Sequence, residues 1–202
     1  MTRNKQPETI LIIGLGNPGD DYYKTRHSLG FMTLDAFAEK HGFAAFTMVE
    51  DNTMVSEGRI NDKTAILAKP QTFMNKSGHS AKRLAKHYSL FKKNDYSGLW
   101  VINDDLDIPV GKIKISKNHG AAGHKGVQSI IDQMKTKNFT RFRMGIQPPT
   151  EAQKKIPGDK LVLKKITPAE QAEFDLAIVQ TVSALELAIT EGVEKAMTAY
   201  NQ

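Results

Sequence analysis

The segment GLGNPGDDYYKTRHSLGF, residues 14–31, contains several side chains that can bind or activate a substrate. Asn17 follows glycines that let the backbone bend sharply where an apolar run, residues 10–13, ends. Tyr22 and His27 come next, with His27 at the start of a predicted helix. A neutral imidazole there can take a proton from water if a carboxylate orients its other ring nitrogen. A histidine at a helix start can also be a cap or packing residue, and this segment alone leaves both roles open.

Two other segments offer partners for such a base. The run NDDLDIP, residues 103–109, places carboxylates at the end of a predicted strand. The run KPQTFMNKSG, residues 69–78, places Asn75 before a predicted helix. Asparagine is an ordinary N-cap residue, which is one interpretation of Asn75. In the other, its amide and the neighbouring backbone N–H groups bind a carbonyl or a developing oxyanion.

Composition and motifs exclude or disfavour several other chemistries. The chain has no cysteine, which excludes disulfides, thiolate catalysis and cysteine-bound metals. Its six histidines form no H-E-x-x-H motif, so a metal site has little support. A G-x-S-x-G motif is also absent, which disfavours a serine hydrolase of that design.

Gly14, Gly16 and Gly19 spell the dinucleotide-binding pattern G-x-G-x-x-G after an apolar run. The residues around them disfavour that interpretation, because Asn-Pro-Gly is turn chemistry and the aspartates at 20 and 21 would repel a phosphate. The following helix is predicted to start only near residue 25, too late to direct its N-terminus at a pyrophosphate. A nucleotide-binding oxidoreductase stays as a weaker alternative.

Positive charge is concentrated in one part of the 202-residue chain, whose net charge is +6. Residues 112–143 hold eight Lys or Arg residues and one acid, Asp132, so the rest of the chain is close to neutral. This window is either a solvated basic face or a surface for phosphates, and its concentration favours the second.

The elements that position these residues predict an α/β fold: a single domain with a central mixed twisted sheet flanked by helices, and a helical C-terminal tail. Residues 1–8 are expected to be a disordered extension, and residues 150–166 a loop that covers the cleft. Thr167, Pro168 and Glu170 form a predicted capping box, and Gly192 is expected to interrupt the tail. Predicted strands are 9–13, two or three between 43 and 68 that include a hairpin, and the runs GLWVIND, GKIKISK and FTRFRMGIQ; predicted helices are 25–41, the run NKSGHSAKRLAKHYSLF and the run GHKGVQSIIDQM.

The N-terminal apolar run is too short for a signal peptide, and no segment reaches the roughly 20 apolar residues that cross a bilayer. We therefore expect a cytoplasmic protein with no membrane contact.

Five segments in this order resemble bacterial-type peptidyl-tRNA hydrolases, over roughly residues 9–200: GLGNPGDDYYKTRHSLGF, KPQTFMNKSG, NDDLDIPVGKIKI, GAAGHKGVQSII and FTRFRMGIQPP. The resemblance implies a monomer that hydrolyses the ester between a peptide and the 3′-terminal ribose of tRNA, with no metal or organic cofactor. It implies that His27 is the general base, that Asp104 orients it, and that Asn17 and Asn75 hold the substrate.

The resemblance also implies binding residues. Tyr22 would lie at the tRNA end of the site, and Met74 would line the peptide cleft with the loop that contains Gly123, His124 and Lys125. The expected contacts to the tRNA backbone are Lys112, Lys114, Lys117, Arg141 and Arg143.

Two positions depart from the family pattern. Lys125 stands where the family usually has asparagine after Gly-His, which puts that contact in doubt: the lysine would bind a phosphate or the ester carbonyl, or would weaken catalysis. Ser28 stands where many members have asparagine, a change that a helix start tolerates. A catalytically silent RNA-binding relative, as in organelle splicing factors of this fold, is therefore the alternative function.

Overall fold

A seven-stranded mixed sheet forms the centre of the molecule, with helices on both of its faces. The computed structural model describes residues 8–49, 52–91, 95–148, 150 and 155–201. The strands are β1 (Thr9–Gly14), β2 (Thr47–Val49), β3 (Thr53–Ile60), β4 (Lys63–Pro70), β5 (Leu99–Pro109), β6 (Ile113–Lys117) and β7 (Thr140–Gln147). The α-helices are α1 (Asp20–Tyr23), α2 (Leu29–Lys40), α3 (Ser77–His87), α4 (Lys125–Met134), α5 (Gly158–Leu161), α6 (Gln171–Glu191) and α7 (Val193–Tyr200), and Arg26–Ser28 and Met74–Lys76 form 3-10 turns.

The strand order is β2-β3-β4-β1-β5-β7-β6. Strands β4, β1, β5 and β7 are parallel neighbours, whereas β2, β3 and β6 pair antiparallel at the two sides. The predicted α/β class with a mixed sheet and a helical tail is therefore confirmed. The carboxyl ends of the parallel strands meet at one edge, where open α/β sheets bind their ligands.

The sheet separates two hydrophobic cores. Helices α2, α6 and α7 pack on one face, where Phe37, Trp100 and Phe174 are almost completely buried. Helices α3 and α4 pack on the other face around Leu11 and Val127. Among the described helices, none combines the length and the apolar character that crossing a membrane requires.

The glycines at the end of β1 allow the start of α2 to approach the strand closely. A Cβ on Gly14 would lie 2.3 Å from the carbonyl oxygen of Gly30, and a Cβ on Gly16 would lie 2.6 Å from the ring of Phe31. The space beside these glycines is therefore filled by α2, which gives the dinucleotide interpretation no support. This packing brings the turn that carries His27 to the sheet edge.

The predicted elements are present, with shifted boundaries. The β3–β4 hairpin turns at Asn61, whose φ is 55°, and Gly192, with φ 108°, separates α6 from α7 as predicted. The first predicted helix begins with a 3-10 turn, and the second ends at His87 instead of residue 91. The one-turn helices α1 and α5 were not predicted, and residues 1–7 and 151–154 lie outside the described residues.

Candidate active site

A cleft of 460 Å³ opens at the carboxyl end of β5 and contains His27 and Asp104 on its wall. His27 lies in the 3-10 turn before α2, and Asp104 lies on β5. Both side chains are buried, with relative exposures of 8% and 3%. The sheet and α2 together therefore bring two residues that are 77 positions apart to one point.

The His27 ring is held by a two-pronged contact. Its Nδ1 lies 2.9 Å from Oδ1 and 3.0 Å from Oδ2 of Asp104. Because an ionised carboxylate only accepts hydrogen bonds, Nδ1 must be the protonated nitrogen. The Nε2 lone pair of His27 is then available as a base.

A second histidine donates to the same carboxylate. His124 Nε2 lies 3.0 Å from Asp104 Oδ1, while His124 Nδ1 accepts from the backbone N–H groups of Gly126 (3.1 Å) and Val127 (3.3 Å) at the start of α4. Those backbone donors place the proton on Nε2, so His124 is a neutral donor and the N-cap of α4.

Asp104 is ionised because of these partners. Burial alone would raise the pKa of Asp104, but the electrostatic interaction with the rings of His27 and His124 and the hydrogen bonds from both rings hold it well below its usual range. Asp104 is therefore a fixed acceptor that selects the Nδ1-protonated form of His27.

His27, Asp104 and His124 are close enough together to be considered as metal ligands. The hydrogen bonds argue against that use, because His124 has no lone pair left: Nδ1 accepts from α4 and Nε2 carries the proton donated to Asp104. A metal would have to break the helix cap or remove a donor from the carboxylate. The arrangement fits proton transfer better than metal binding.

Asn17 is fixed in the cleft with its donor end available. Its Oδ1 accepts from the backbone N–H of Met74 at 2.9 Å, which assigns the two ends of the amide and leaves Nδ2 as a donor. Asn75 is exposed in the 3-10 turn beside it, and the N-cap position of α3 belongs to Lys76 instead. Both amides line the cleft that contains His27.

Comparison with known proteins places this geometry in a family. A model of the family described as peptidyl-tRNA hydrolase matches residues 11–202. The peptidyl-tRNA hydrolase of Thermodesulfovibrio yellowstonii is 41% identical over 195 residues, covering 96% of this chain and 99% of that protein. The chain belongs to the peptidyl-tRNA hydrolase family.

Other family members agree in sequence and in structure. The peptidyl-tRNA hydrolase of Limosilactobacillus reuteri is 41% identical over 195 residues, covering 95% of this chain and 99% of that protein. The crystal structure of peptidyl-tRNA hydrolase from Acinetobacter baumannii superposes with a TM-score of 0.84 at 30% identity, covering 98% and 97% of the two chains. The silent RNA-binding alternative has no support from these relatives, all of which are named as hydrolases.

The structure brings most of the sequence-predicted site residues of this family member to the cleft. Tyr22, Met74, Gly123 and Lys125 line the same cleft as His27. Lys125 is exposed at the first position of α4 and also borders an adjoining hollow of 330 Å³. His124 also lines this cleft, with its two ring nitrogens committed to Asp104 and α4, and its contact with the substrate stays a prediction.

The predicted tRNA-backbone contacts of Arg141 and Arg143 are wrong for this structure. Arg141 is completely buried and Arg143 is 7% exposed. Arg141 donates to Asn103 Oδ1 (3.1 Å) and to the carbonyl of Gly120 (2.5 Å), and Arg143 Nε donates to Asp105 at 2.7 Å. Burial and the neighbouring Arg143 lower the pKa of Arg141 to about 10, which still leaves it charged at neutral pH. Arg141 therefore joins β5 to the loop before α4, and Arg143 pairs with Asp105 on β5, so neither arginine faces solvent.

The predicted lysines lie on the surface of β6 and the turn before it. Lys112, Lys114 and Lys117 are exposed, and Lys117 forms an ion pair with Glu194. In the strand register, Lys117 of β6 lies opposite Thr140 of β7, whereas Asp104 of β5 lies opposite Met144 of β7. These β7 positions are four residues apart, so Lys117 lies about 13 Å from the cleft edge along the strand direction. These lysines remain predicted contacts for the tRNA backbone.

Sequence reasoning missed the apolar wall of the cleft and the contacts behind it. The wall is formed by Phe73, Leu106, Val162 and Leu163, and three of these side chains are exposed large hydrophobic residues. Arg26, directly before His27, is buried and bonded to residues 164–170. Its partners are at least 138 positions away, so no local pattern in the sequence indicates them.

Proposed function

We propose that this cleft hydrolyses the ester between the peptide and the 3′-terminal ribose of peptidyl-tRNA, and so returns the tRNA for reuse. His27 Nε2 removes a proton from water, and the resulting hydroxide adds to the ester carbonyl carbon. Asp104 accepts from His27 Nδ1–H and stabilises the imidazolium that forms. The carbon–oxygen bond to the ribose then breaks, and the imidazolium returns the proton to the leaving 3′ oxygen.

The amides provide the second part of the chemistry. Asn17 Nδ2, whose orientation is set by the Met74 N–H contact, and the exposed Asn75 amide donate to the carbonyl oxygen as it gains negative charge. An ester has a better leaving group than an amide, so activated water suffices and no covalent nucleophile is required.

The two ends of the substrate meet different surfaces. The peptide lies against the apolar wall, and Tyr22 contacts the terminal nucleotide. Lys125 binds a phosphate or carbonyl at the cleft rim, and Lys112, Lys114 and Lys117 contact the tRNA backbone. In this proposal the enzyme acts as a cytoplasmic monomer.

The observation that carries the proposal is the two-pronged hydrogen bond that His27 Nδ1 donates to the Asp104 carboxylate, which leaves Nε2 of this cleft-lining histidine as a base. The experiment measures release of N-acetylphenylalanine from N-acetylphenylalanyl-tRNA by the native protein and by His27→Ala. His79→Ala is the matched control, because His79 is exposed on α3 and does not line the cleft. We expect a loss of about 10²–10⁴-fold in kcat for His27→Ala only. Equal rates in the native protein and His27→Ala would refute the role of His27, and tRNA binding without any release would favour a silent binding protein.

A further inference from the structure

Arg26 ties the residue beside it, His27, to a distant part of the chain. Its Nη1 donates to the carbonyl oxygens of Lys164 (3.2 Å) and Lys165 (3.1 Å). Its Nη2 forms an ion pair with Glu170 at 2.5 Å, with the two side chains 6% and 16% exposed. The guanidinium also lies 5.7 Å from the ring centre of Phe174 on α6. These polar contacts are all to one stretch of chain just before α6.

Backbone hydrogen bonds continue the same connection up to the catalytic residue. His27 N donates to the carbonyl of Val162 at 2.9 Å, and Ile166 N donates to the carbonyl of Lys24 at 2.9 Å. Thr25 and Lys165 form an antiparallel bridge between these two contacts. Residues 24–27 and 162–166 therefore pair like two short strands. The Arg26 side chain adds hydrogen bonds to the carbonyls of Lys164 and Lys165 to this pairing.

The stretch held in this way, residues 157–166, is called the wall segment here. Gly158, Asp159, Val162 and Leu163 from this segment line the cleft that contains His27. A Cβ on Gly158 would lie 2.7 Å from Leu106 Cδ1, so the segment approaches the opposite apolar residue closely. The wall segment thus closes one side of the space where the acyl part of the substrate must lie.

The Arg26–Glu170 ion pair holds a segment that lines the cleft, so removing the pair should change the position of that segment. A buried guanidinium without its carboxylate partner keeps its desolvation cost, so removing the charge of Glu170 weakens the connection. Glu170 also accepts from Thr167 N (3.1 Å) and Thr167 Oγ1 (2.8 Å), so one carboxylate joins Arg26 to the start of α6. Removal of this carboxylate loosens the C-terminal end of the wall segment, which keeps its bonds to Arg26 Nη1, while His27 keeps its contact with Asp104.

We propose that Arg26, through Glu170, is a positioning residue that fixes the wall segment beside His27 and thereby sets the preference for an apolar side chain on the residue esterified to tRNA. This inference rests on the proposed function for the identity of the substrate. The connection itself is a property of the folded protein and can be measured without substrate.

The test compares Glu170→Gln with Glu186→Gln. Glu186 makes a matched pair, because it also joins the region of α2 to α6, accepting from Lys40 Nζ (2.5 Å) and His41 Nε2 (2.8 Å), and it does not line the cleft. Glutamine is nearly isosteric with glutamate and is milder than truncation of Arg26, which could prevent folding. Amide hydrogen exchange of residues 157–166 reports on the connection, and kcat/KM for N-acetylphenylalanyl and N-acetylglycyl esters of the same tRNA reports on the preference.

For Glu170→Gln we expect exchange in residues 157–166 to accelerate by about tenfold or more, because local opening becomes easier. We also expect the preference for the phenylalanyl over the glycyl ester to fall about threefold to tenfold, a part of what one apolar side chain supplies. Glu186→Gln should change neither quantity in this way.

Unchanged exchange in Glu170→Gln would overturn the connection, as would equal acceleration in Glu186→Gln. Faster exchange with an unchanged ester preference would overturn the specificity role. Failure of the native protein to release either acyl group would instead refute the proposed function, while the exchange comparison would still decide whether Arg26 holds the wall segment.

Discussion

Replacing His124 by asparagine separates its two structural roles. Asparagine is among the best N-cap residues, so its Oδ1 can accept from the N–H groups of Gly126 and Val127 that His124 Nδ1 now receives. The asparagine side chain is shorter than imidazole and cannot extend to Asp104, which His124 Nε2 contacts at 3.0 Å. The variant therefore keeps the cap of α4 and removes one donor from the catalytic carboxylate.

The size of the effect follows from the hydrogen bond that His124 Nε2 donates to Asp104. A hydrogen bond to a charged group contributes about 1.5–3 kcal/mol, and each 1.36 kcal/mol corresponds to about tenfold in rate. Without the hydrogen bond from His124, the only one of these two donors left to Asp104 is His27 Nδ1–H, which both of its oxygens share. The carboxylate is then free to rotate away from His27. We expect kcat to fall about tenfold to a hundredfold in His124→Asn, with KM changed less than about threefold.

The assay measures single-turnover release of N-acetylphenylalanine from tRNA for the native protein, His124→Asn and His124→Ala, together with thermal unfolding. His124→Ala should lose both roles, so its rate should fall as far and its stability should also fall by about 1 kcal/mol, because α4 has no cap. A native kcat in His124→Asn would refute the claim that His124 orients Asp104. A raised KM with native kcat would show instead that His124 contacts the substrate.

Two further predictions concern charge and pH. Lys114→Glu and Lys125→Asn should weaken tRNA binding and make the slope of log Kd against log salt concentration shallower, by about 0.7–0.9 for each phosphate that the protein no longer neutralises. The control variant Lys82→Glu, on the exposed surface of α3, should change neither the binding nor the slope. Lys117→Glu should have a smaller effect than Lys114→Glu, because Glu194 already neutralises Lys117. An unchanged slope in Lys114→Glu would show that β6 faces solvent only. Burial would raise the pKa of Glu170, but hydrogen bonds from Thr167 and the charge of Arg26 lower it below its ordinary value. In acid the unfolded chain therefore binds more protons than the folded protein. The stability that Glu170 contributes is fully present above its unfolded pKa of about 4.3 and is lost as the pH falls below it. The free energy of unfolding should therefore fall from pH 6 to pH 3, less steeply in Glu170→Gln, and identical slopes in the two proteins would contradict the assigned ion pair.

The sequence predicts elements well where the information is local. Alternation and the Asn61 turn indicate the β3–β4 hairpin, and the glycine at 192 indicates the break between α6 and α7. The one-turn helices α1 and α5 have no such periodicity, because four residues do not complete a repeating apolar face. Their positions are set by neighbouring elements instead.

The site was predictable only in part. Residue types indicated His27 and Asn17 as candidates, but the pairing of His27 with Asp104 needed the resemblance to a family, since the two lie 77 positions apart. The resemblance and the concentration of charge predict tRNA contacts for Arg141 and Arg143, and this prediction is wrong because β7 lies between β5 and β6 and both of its faces are buried. A positive residue on such a strand pairs inside the fold, here with Asp105, and not with an external phosphate.

The role of Asp104 is tested most sharply by the single-turnover rate of acyl release in Asp104→Asn. Both carboxylate oxygens of Asp104 lie within 3.0 Å of His27 Nδ1, so in either orientation the asparagine Nδ2–H faces that nitrogen. This contact favours the form in which Nδ1 accepts and Nε2 carries the proton, which removes the base. We predict that kcat falls by about 10³–10⁴-fold with an unchanged Kd for tRNA. A rate within about tenfold of native would contradict the claim that Asp104 holds His27 in the form that activates water.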